Sequence, residues 1–161
     1  MIAATVKQEN TVARHAMRTI LLLLLLAAMP AKAEIYDIKQ LDLASYKGKV
    51  VYLDFWASWC KPCQKSFPWM NSLLQKYPAE SFTVITVNLD AETESMHHFL
   101  GKVKADFDIF HDPSGRIAEE FKIEGMPTSY LIDSSGKVVK KHIGFYTKKI
   151  DKYEDEIEEL L

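Results

Sequence analysis

Val50-Val51-Tyr52-Leu53-Asp54-Phe55-Trp56-Ala57-Ser58-Trp59-Cys60-Lys61-Pro62-Cys63 is the stretch on which the reading of this chain turns. Its first part is apolar and β-rich without polar alternation, which predicts a central strand covered on both faces. A helix is predicted from Lys61 onward, so Cys60 falls at a helix N-terminus. There the free backbone N–H groups and the partial positive charge of the helix favour a thiolate. Cys60 and Cys63 are the only two cysteines in 161 residues. Their spacing sets the two thiols one helical turn apart, within reach of a small disulfide. Such a pair is expected to be a redox centre.

Patterning on either side of this stretch predicts an alternation of strands and helices. Residues 35–48 read as a lead-in with one edge strand or hairpin. The helix after the cysteines runs to about Tyr77, with Phe67, Met70, Leu73 and Leu74 at helical spacing and Pro68 as a kink. Phe82 to Leu89 is a second buried strand. Ala91 to Val103 is a helix with Met96, Phe99, Leu100 and Val103 on one face. A short strand over Phe107 to Phe110 follows, and Asp112-Pro113-Ser114-Gly115 opens a helix to about Phe121. Gly125-Met126-Pro127-Thr128 leads into a strand over Ser129 to Ile132, and Asp133-Ser134-Ser135-Gly136 is a hairpin turn. The strand Lys137 to Ile143 stops at Gly144. A last helix, Thr147 to Leu161, turns Ile150, Tyr153, Ile157, Leu160 and Leu161 inward. Together these elements give an α/β fold with a mixed sheet.

Residues 1–33 read as an address. Arg14 and Arg18 precede the ten apolar residues Ile20 to Met29, and Pro30-Ala31-Lys32-Ala33 supplies a small-x-small site. This is the layout of a secretory signal cleaved after Ala33, with Met17 as an alternative start. The apolar run is about half of what a spanning helix needs; a retained inner-membrane anchor is the other reading. Residues 34–161 then form the domain, in an exported, oxidising compartment such as the periplasm. They carry 16 basic and 21 acidic residues, a net −5. That balance gives no support for nucleic-acid binding, which would call for a clustered basic face.

Asp54 to Cys63 closely resembles the active-site segment of thioredoxin-fold proteins. Pro68 falls where that family kinks its active-site helix, Gly125 to Thr128 matches its cis-proline loop, and Asp133 to Gly136 with Gly144 matches its closing hairpin. The resemblance covers residues 45–160. It implies a thioredoxin-like fold, a central mixed sheet flanked by helices. Between the strand ending near Asp90 and the cis-proline loop this chain carries an inserted helix and strand, as do exported reductases of the TlpA/ResA/CcmG type. The larger all-helical insertion of periplasmic oxidants is absent.

The thiol chemistry and the resemblance together assign expected roles. Cys60 is the nucleophile that attacks a substrate disulfide, and Cys63 resolves the mixed disulfide, leaving a Cys60–Cys63 bond. Cys60 is expected to be exposed. Asp54, a carboxylate in an apolar strand, is expected to have a raised pKa and to accept the proton of Cys63. Thr86 stands where many relatives place a lysine beside this acid. Trp59, Lys61, Pro62, Met126 and Pro127 are expected to bind substrate, a cis Met126-Pro127 bond presenting backbone groups to an extended chain. Trp56 packs beneath the disulfide, and Trp69 reads as a half-buried aromatic. His97 and His98 are solvated, His111 and His142 isolated, and Glu154 to Glu159 form the wet face of the last helix.

The expected function is reduction of disulfides in periplasmic proteins by a monomer that needs no cofactor or metal. A membrane thiol-disulfide relay would supply its electrons. The resemblance makes the haem-site cysteines of apocytochrome c one candidate substrate. However, Thr128 follows Pro127 where the cytochrome-specific branch has an acidic residue, so a general reductase stands beside it. Two other classes share the fold. A thiol peroxidase of the AhpC/TSA type calls for a threonine where this chain has Ala57. A copper-binding module calls for cysteines spaced by three residues rather than two.

Overall fold

The computed structural model describes residues 34–161; the expected leader over 1–33, with Met17, lies outside the described residues. Ile35–Asp37 forms an edge strand, β1, and the rest of the lead-in makes two 3-10 turns, Ile38–Gln40 and Leu43–Tyr46, rather than a hairpin. Val50–Trp56 is β2, buried at every position. Lys61–Lys76 is helix α1, with Pro68 inside it. Phe82–Asn88 (β3), Thr93–Leu100 (α2), Asp108–His111 (β4) and Arg116–Glu120 (α3) follow. Thr128–Ile132 (β5), Val138–Ile143 (β6) and Ile150–Glu158 (α4) complete the described chain.

The six strands make one sheet in the order β1-β4-β3-β2-β5-β6. β1, β4, β3 and β2 run parallel, while β5 and β6 pair antiparallel. This is the thioredoxin-like mixed sheet. The inserted α2 and β4 extend it, because β4 pairs with β3 and carries β1 beyond it.

Alternation along β2 divides the core in two. Val50, Tyr52 and Trp56 face a cluster with Phe67, Met70 and Leu73 of α1, Met96 and Phe99 of α2, and Tyr153 and Ile157 of α4. Val51, Leu53 and Phe55 face the other side, with Ile85, Val87, Phe110 and Tyr130, closed by Ile117, Phe121 and the lead-in residues Leu41 and Leu43. A strand apolar on both faces therefore sits at the sheet centre, as the lack of alternation predicted.

Both ends of α2 and of α4 differ from expectation: α2 starts at Thr93 rather than Ala91, and α4 at Ile150, after a 3-10 turn over Thr147–Lys149. α2 stops at Leu100 instead of Val103, with Gly101 as its C-cap residue. Leu100 and Val103 still pack on the core. α4 ends at Glu158, so Leu161 leaves the helix and is 48% exposed rather than turned inward.

The Asp112 to Gly115 turn begins α3 through one side chain. The buried Asp112 carboxylate accepts from the N–H groups of Arg116, Ile117 and Ala118 and from Ser114 Oγ. It satisfies donors that the first turn of a helix leaves orphaned. Gly115 takes φ +67°, a left-handed conformation that suits glycine. Asp112→Ala leaves those donors unpaired in a buried site, so we expect a loss of about 2 kcal/mol or more. The denaturation midpoint measures it; an unchanged midpoint would show that the cap is dispensable.

Candidate active site

β2 ends at Trp56, and the chain turns through Ala57, Ser58 and Trp59 into α1. The turn is held from the neighbouring parallel strand. Asp90, buried just past β3, accepts from Ser58 N–H at 2.9 and 3.2 Å and from Ser58 Oγ at 2.9 Å. Asn88 Nδ2 donates to the same carboxylate at 2.8 Å, and His111 Nε2–H donates to the Asp90 carbonyl at 2.8 Å. His111 is thus a brace rather than an isolated residue. Sequence reading missed Asp90 as a positioning group. The available signal was its place at the carboxyl end of the strand parallel to β2.

Cys60 is the N-cap of α1 and Pro62 occupies its first turn. Cys60 and Cys63 are joined as a disulfide, with Cα atoms 5.3 Å apart. Cys63 N–H also points at Cys60 Sγ, 3.2 Å away. Contrary to expectation, Cys60 is only 4% exposed. The sulfur folds back toward the helix start and joins the core cluster instead of projecting from it. Trp59 beside it is 70% exposed, while Trp56 lies beneath, packed against Phe67 and Phe99. Lys61 and Pro62 are exposed at the helix start.

Asp54 is 1% exposed, and its place in the alternation of β2 puts it on the Tyr52 and Trp56 face, the one covered by the Cys63 helix. Its Oδ2 has no partner among the described residues. Burial pushes its pKa well above the usual carboxylate range. Thr86 is its register neighbour on β3, but the Thr86 hydroxyl accepts from Trp56 Nε1 at 3.1 Å and leans toward the Asp108 carbonyl. Among the described residues no cation offsets the acid, so desolvation alone sets the direction.

The acid belongs to a polar row across the sheet: Thr86, Asp54, Ser129 and His142 are register partners on β3, β2, β5 and β6. Tyr52 Oη donates to Ser129 Oγ at 2.7 Å. His142 Nε2 lies 2.7 Å from Glu156 Oε2, and its ring is tilted against Tyr153. His142 is therefore partnered, and Glu156 is buried, so the acidic run of α4 is more than a wet face. Glu154 likewise accepts from Trp69 Nε1 at 3.0 Å and from Lys76 at 2.6 Å. Trp69 is consequently buried rather than half-buried. A single chain segment does not reveal such pairs.

The Met126-Pro127 bond is cis. Pro127 is buried, its carbonyl accepts from Gly144 N–H at 2.7 Å, and Thr128 Oγ1 donates to Gly125 O at 2.6 Å. Met126 packs against the cluster that holds both cysteines. Among the described residues no backbone hydrogen bond engages the Met126 N–H or C=O. The loop thus offers an unpaired backbone edge at Met126. Among the described residues there is no group of three His, Cys, Asp or Glu arranged to hold a metal.

A family model described as Redoxin matches residues 27–160. The thiol-disulfide oxidoreductase ResA of a Bacillus cereus strain is 38% identical over 111 residues, 69% of this chain and 64% of the relative. The match thus spans slightly less than two thirds of that protein. ResA of Geobacillus thermodenitrificans is 31% identical across 84% of this chain and 91% of its own. A crystal structure described as a putative thiol:disulfide interchange protein DsbE from Chlorobium tepidum superposes with a TM-score of 0.73 at 44% identity, covering 81% of this chain and 94% of that one.

The buried acid gives a pH signature. Asp54 keeps its proton in the fold at pH values where the unfolded chain has lost it. Its contribution is full below about pH 4, the unfolded value, and is lost as pH rises through the raised folded pKa. We expect stability of the oxidised protein to fall across that window and Asp54→Asn to flatten the fall. The variant should gain about 1.4 kcal/mol at high pH for each pKa unit removed. Denaturant midpoints from about pH 4 to pH 9 test this; parallel curves would mean that Asp54 ionises freely.

Proposed function

The chain belongs to the Redoxin family and to its TlpA/ResA/CcmG-like group, and on that premise we propose that it is a thiol-disulfide oxidoreductase that reduces disulfides of exported proteins. The observation that carries this reading is the Cys60–Cys63 disulfide at the N-terminus of α1, in a fold that also holds a cis Met126-Pro127 bond and a buried acid, Asp54, whose Oδ2 has no partner among the described residues.

In the reduced protein the Cys60 thiolate would be stabilised by the helix start and by the Cys63 N–H that already points at its sulfur. That thiolate attacks one sulfur of a substrate disulfide. The substrate S–S bond breaks, one substrate thiolate leaves, and a Cys60–substrate mixed disulfide forms. Substrate backbone pairs with the free N–H and C=O of Met126, while Trp59, Lys61, Pro62 and Pro127 shape the contact. Asp54 then takes the proton of Cys63. The Cys63 thiolate attacks Cys60 Sγ, expels the second substrate thiolate and closes the Cys60–Cys63 disulfide. Two electrons pass to substrate, and a membrane thiol-disulfide relay restores them.

Residues 1–33 act in this reading as a cleaved secretory signal, which places a monomeric domain in the periplasm. Disulfides of apocytochrome c haem sites and those of exported proteins in general are the substrates to be distinguished. Thr128 after Pro127 favours the general role.

Insulin reduction tests the chemistry. We expect turnover with the native protein, loss to background with Cys60→Ser, and accumulation of mixed disulfides with Cys63→Ser, whose captured partners name the substrates. Absence of reduction by the native protein would overturn the reading. The reduction potential tests the direction. A value near thioredoxin's, about −270 mV, is expected, and one near about −120 mV would make the protein an oxidant.

A further inference from the structure

The turn leading into α4 and the exposed side of α1 enclose an open groove of about 380 Å3, lined by Lys65, Phe145, Tyr146, Thr147, Lys148 and Lys149. Phe145 is the buried floor, 5.4 Å from Trp69 and 6.0 Å from Tyr153 between ring centroids. Tyr146 forms a wall and is 54% exposed. Its ring closes over Gly144, where a Cβ would meet it at 3.1 Å. Lys149 Nζ lies 4.9 Å from that ring, which holds the ammonium at the groove.

Two chain connections lead from the groove toward the redox site. Gly144, two residues before Tyr146, donates to the Pro127 carbonyl. Lys65 lies five residues beyond Cys60 on α1, about 7.5 Å along the axis. Lys61 is one turn earlier on the same side of the helix.

Its charge is opposite to that of the domain, which is net −5 over residues 34–161. Lys61, Lys65, Lys148 and Lys149 are exposed. Among the described residues none of them pairs with a carboxylate, as is the case for most basic residues of the domain; Lys76, Lys104, Lys140 and Lys152 do. Glu154 is engaged by Lys76 and Trp69, and among the described residues Asp151 makes no ion pair with the groove lysines. The groove thus presents three cations, Lys65, Lys148 and Lys149, and no carboxylate among its lining residues.

We propose that this groove docks an acidic segment of the substrate polypeptide, flanking the cysteine that Cys60 attacks. The inference rests on the thiol-disulfide reading and adds a substrate class to it. An extended chain advances about 3.3 Å per residue, so about two residues match the span of about 7.5 Å from Cys60 to Lys65 along α1. The aromatic floor and wall suit a polypeptide better than a bare anion. Exposed cations act mainly by steering encounter, so the effect belongs to the association rate and weakens with salt.

The test uses three disulfide-linked peptides of equal length, their cysteine followed by a run of Glu, of Gln or of Lys. Stopped-flow tryptophan fluorescence follows oxidation of the reduced protein. The Glu peptide should react about tenfold faster than the Gln peptide at about 0.02 M salt, and the ratio should approach one at about 0.5 M. The triple variant Lys65→Gln, Lys148→Gln, Lys149→Gln should bring that ratio close to one at low salt. Equal Glu and Gln rates in the native protein, or a ratio the triple variant retains, overturn the groove but leave the redox reading intact. No reaction with any peptide overturns both. Equal rates joined to lysine-dependent binding of phosphatidylglycerol vesicles would assign the groove to a lipid surface and overturn the proposal.

Discussion

The structure depends on burying β2 from both sides. Val50–Trp56 is flanked by parallel β3 and antiparallel β5, with α1, α2 and α4 over one face and α3 with the lead-in over the other. A strand so enclosed cannot slip by one residue, because every side chain would move to the opposite cluster. Its end is therefore fixed, and the turn from Ala57 to Trp59 delivers Cys60 to the first turn of α1. The redox pair is thus positioned by a packing constraint. Asp90 completes it by tying Ser58 to the end of the parallel strand.

The same enclosure creates the electrostatics. Asp54 lies on the helix-covered face, and the hydroxyl at its register partner Thr86 is committed to Trp56. A buried acid without a cation keeps its proton longer than one paired with lysine. In a resolving step that needs a base, such an acid is a stronger acceptor once ionised but is ionised less often. The row continues through Ser129 to His142 and Glu156, so the environment of the acid involves β5, β6 and α4 as well as its own strand.

Much of this was legible in the residues. The unbroken apolar run of β2, the helical spacing of Phe67, Met70 and Leu73, and the Asp133 to Gly136 turn each state a local preference that the fold keeps. The Asp54 to Cys63 segment and the Gly125 to Thr128 loop resemble a known family closely enough to give the architecture and the inserted helix and strand. Four of the misreadings share one cause. Trp69, His142, Glu156 and His111 look ordinary in the sequence because their partners lie on other elements. Leu161 looked inward only while α4 was assumed to reach the end of the chain. Cys60 was expected to project, yet its sulfur turns back into the core cluster.

By itself, then, the sequence determined the strand that must be central, the two thiols one helical turn apart, and the proline loop that accompanies them. The first two follow from the unbroken apolar run and from covalent spacing, and the third from the resemblance to a known family. Only the tertiary structure decided which charges meet. It left Asp54 without a cation among the described residues, bound Glu154 and Glu156 to partners, and brought Lys65 of α1 to one groove with Lys148 and Lys149. Coulombic and hydrogen-bonded contacts depend on distances of a few ångströms between residues far apart in the chain. Those distances exist only once the sheet has brought β6 and α4 to the edge of the site.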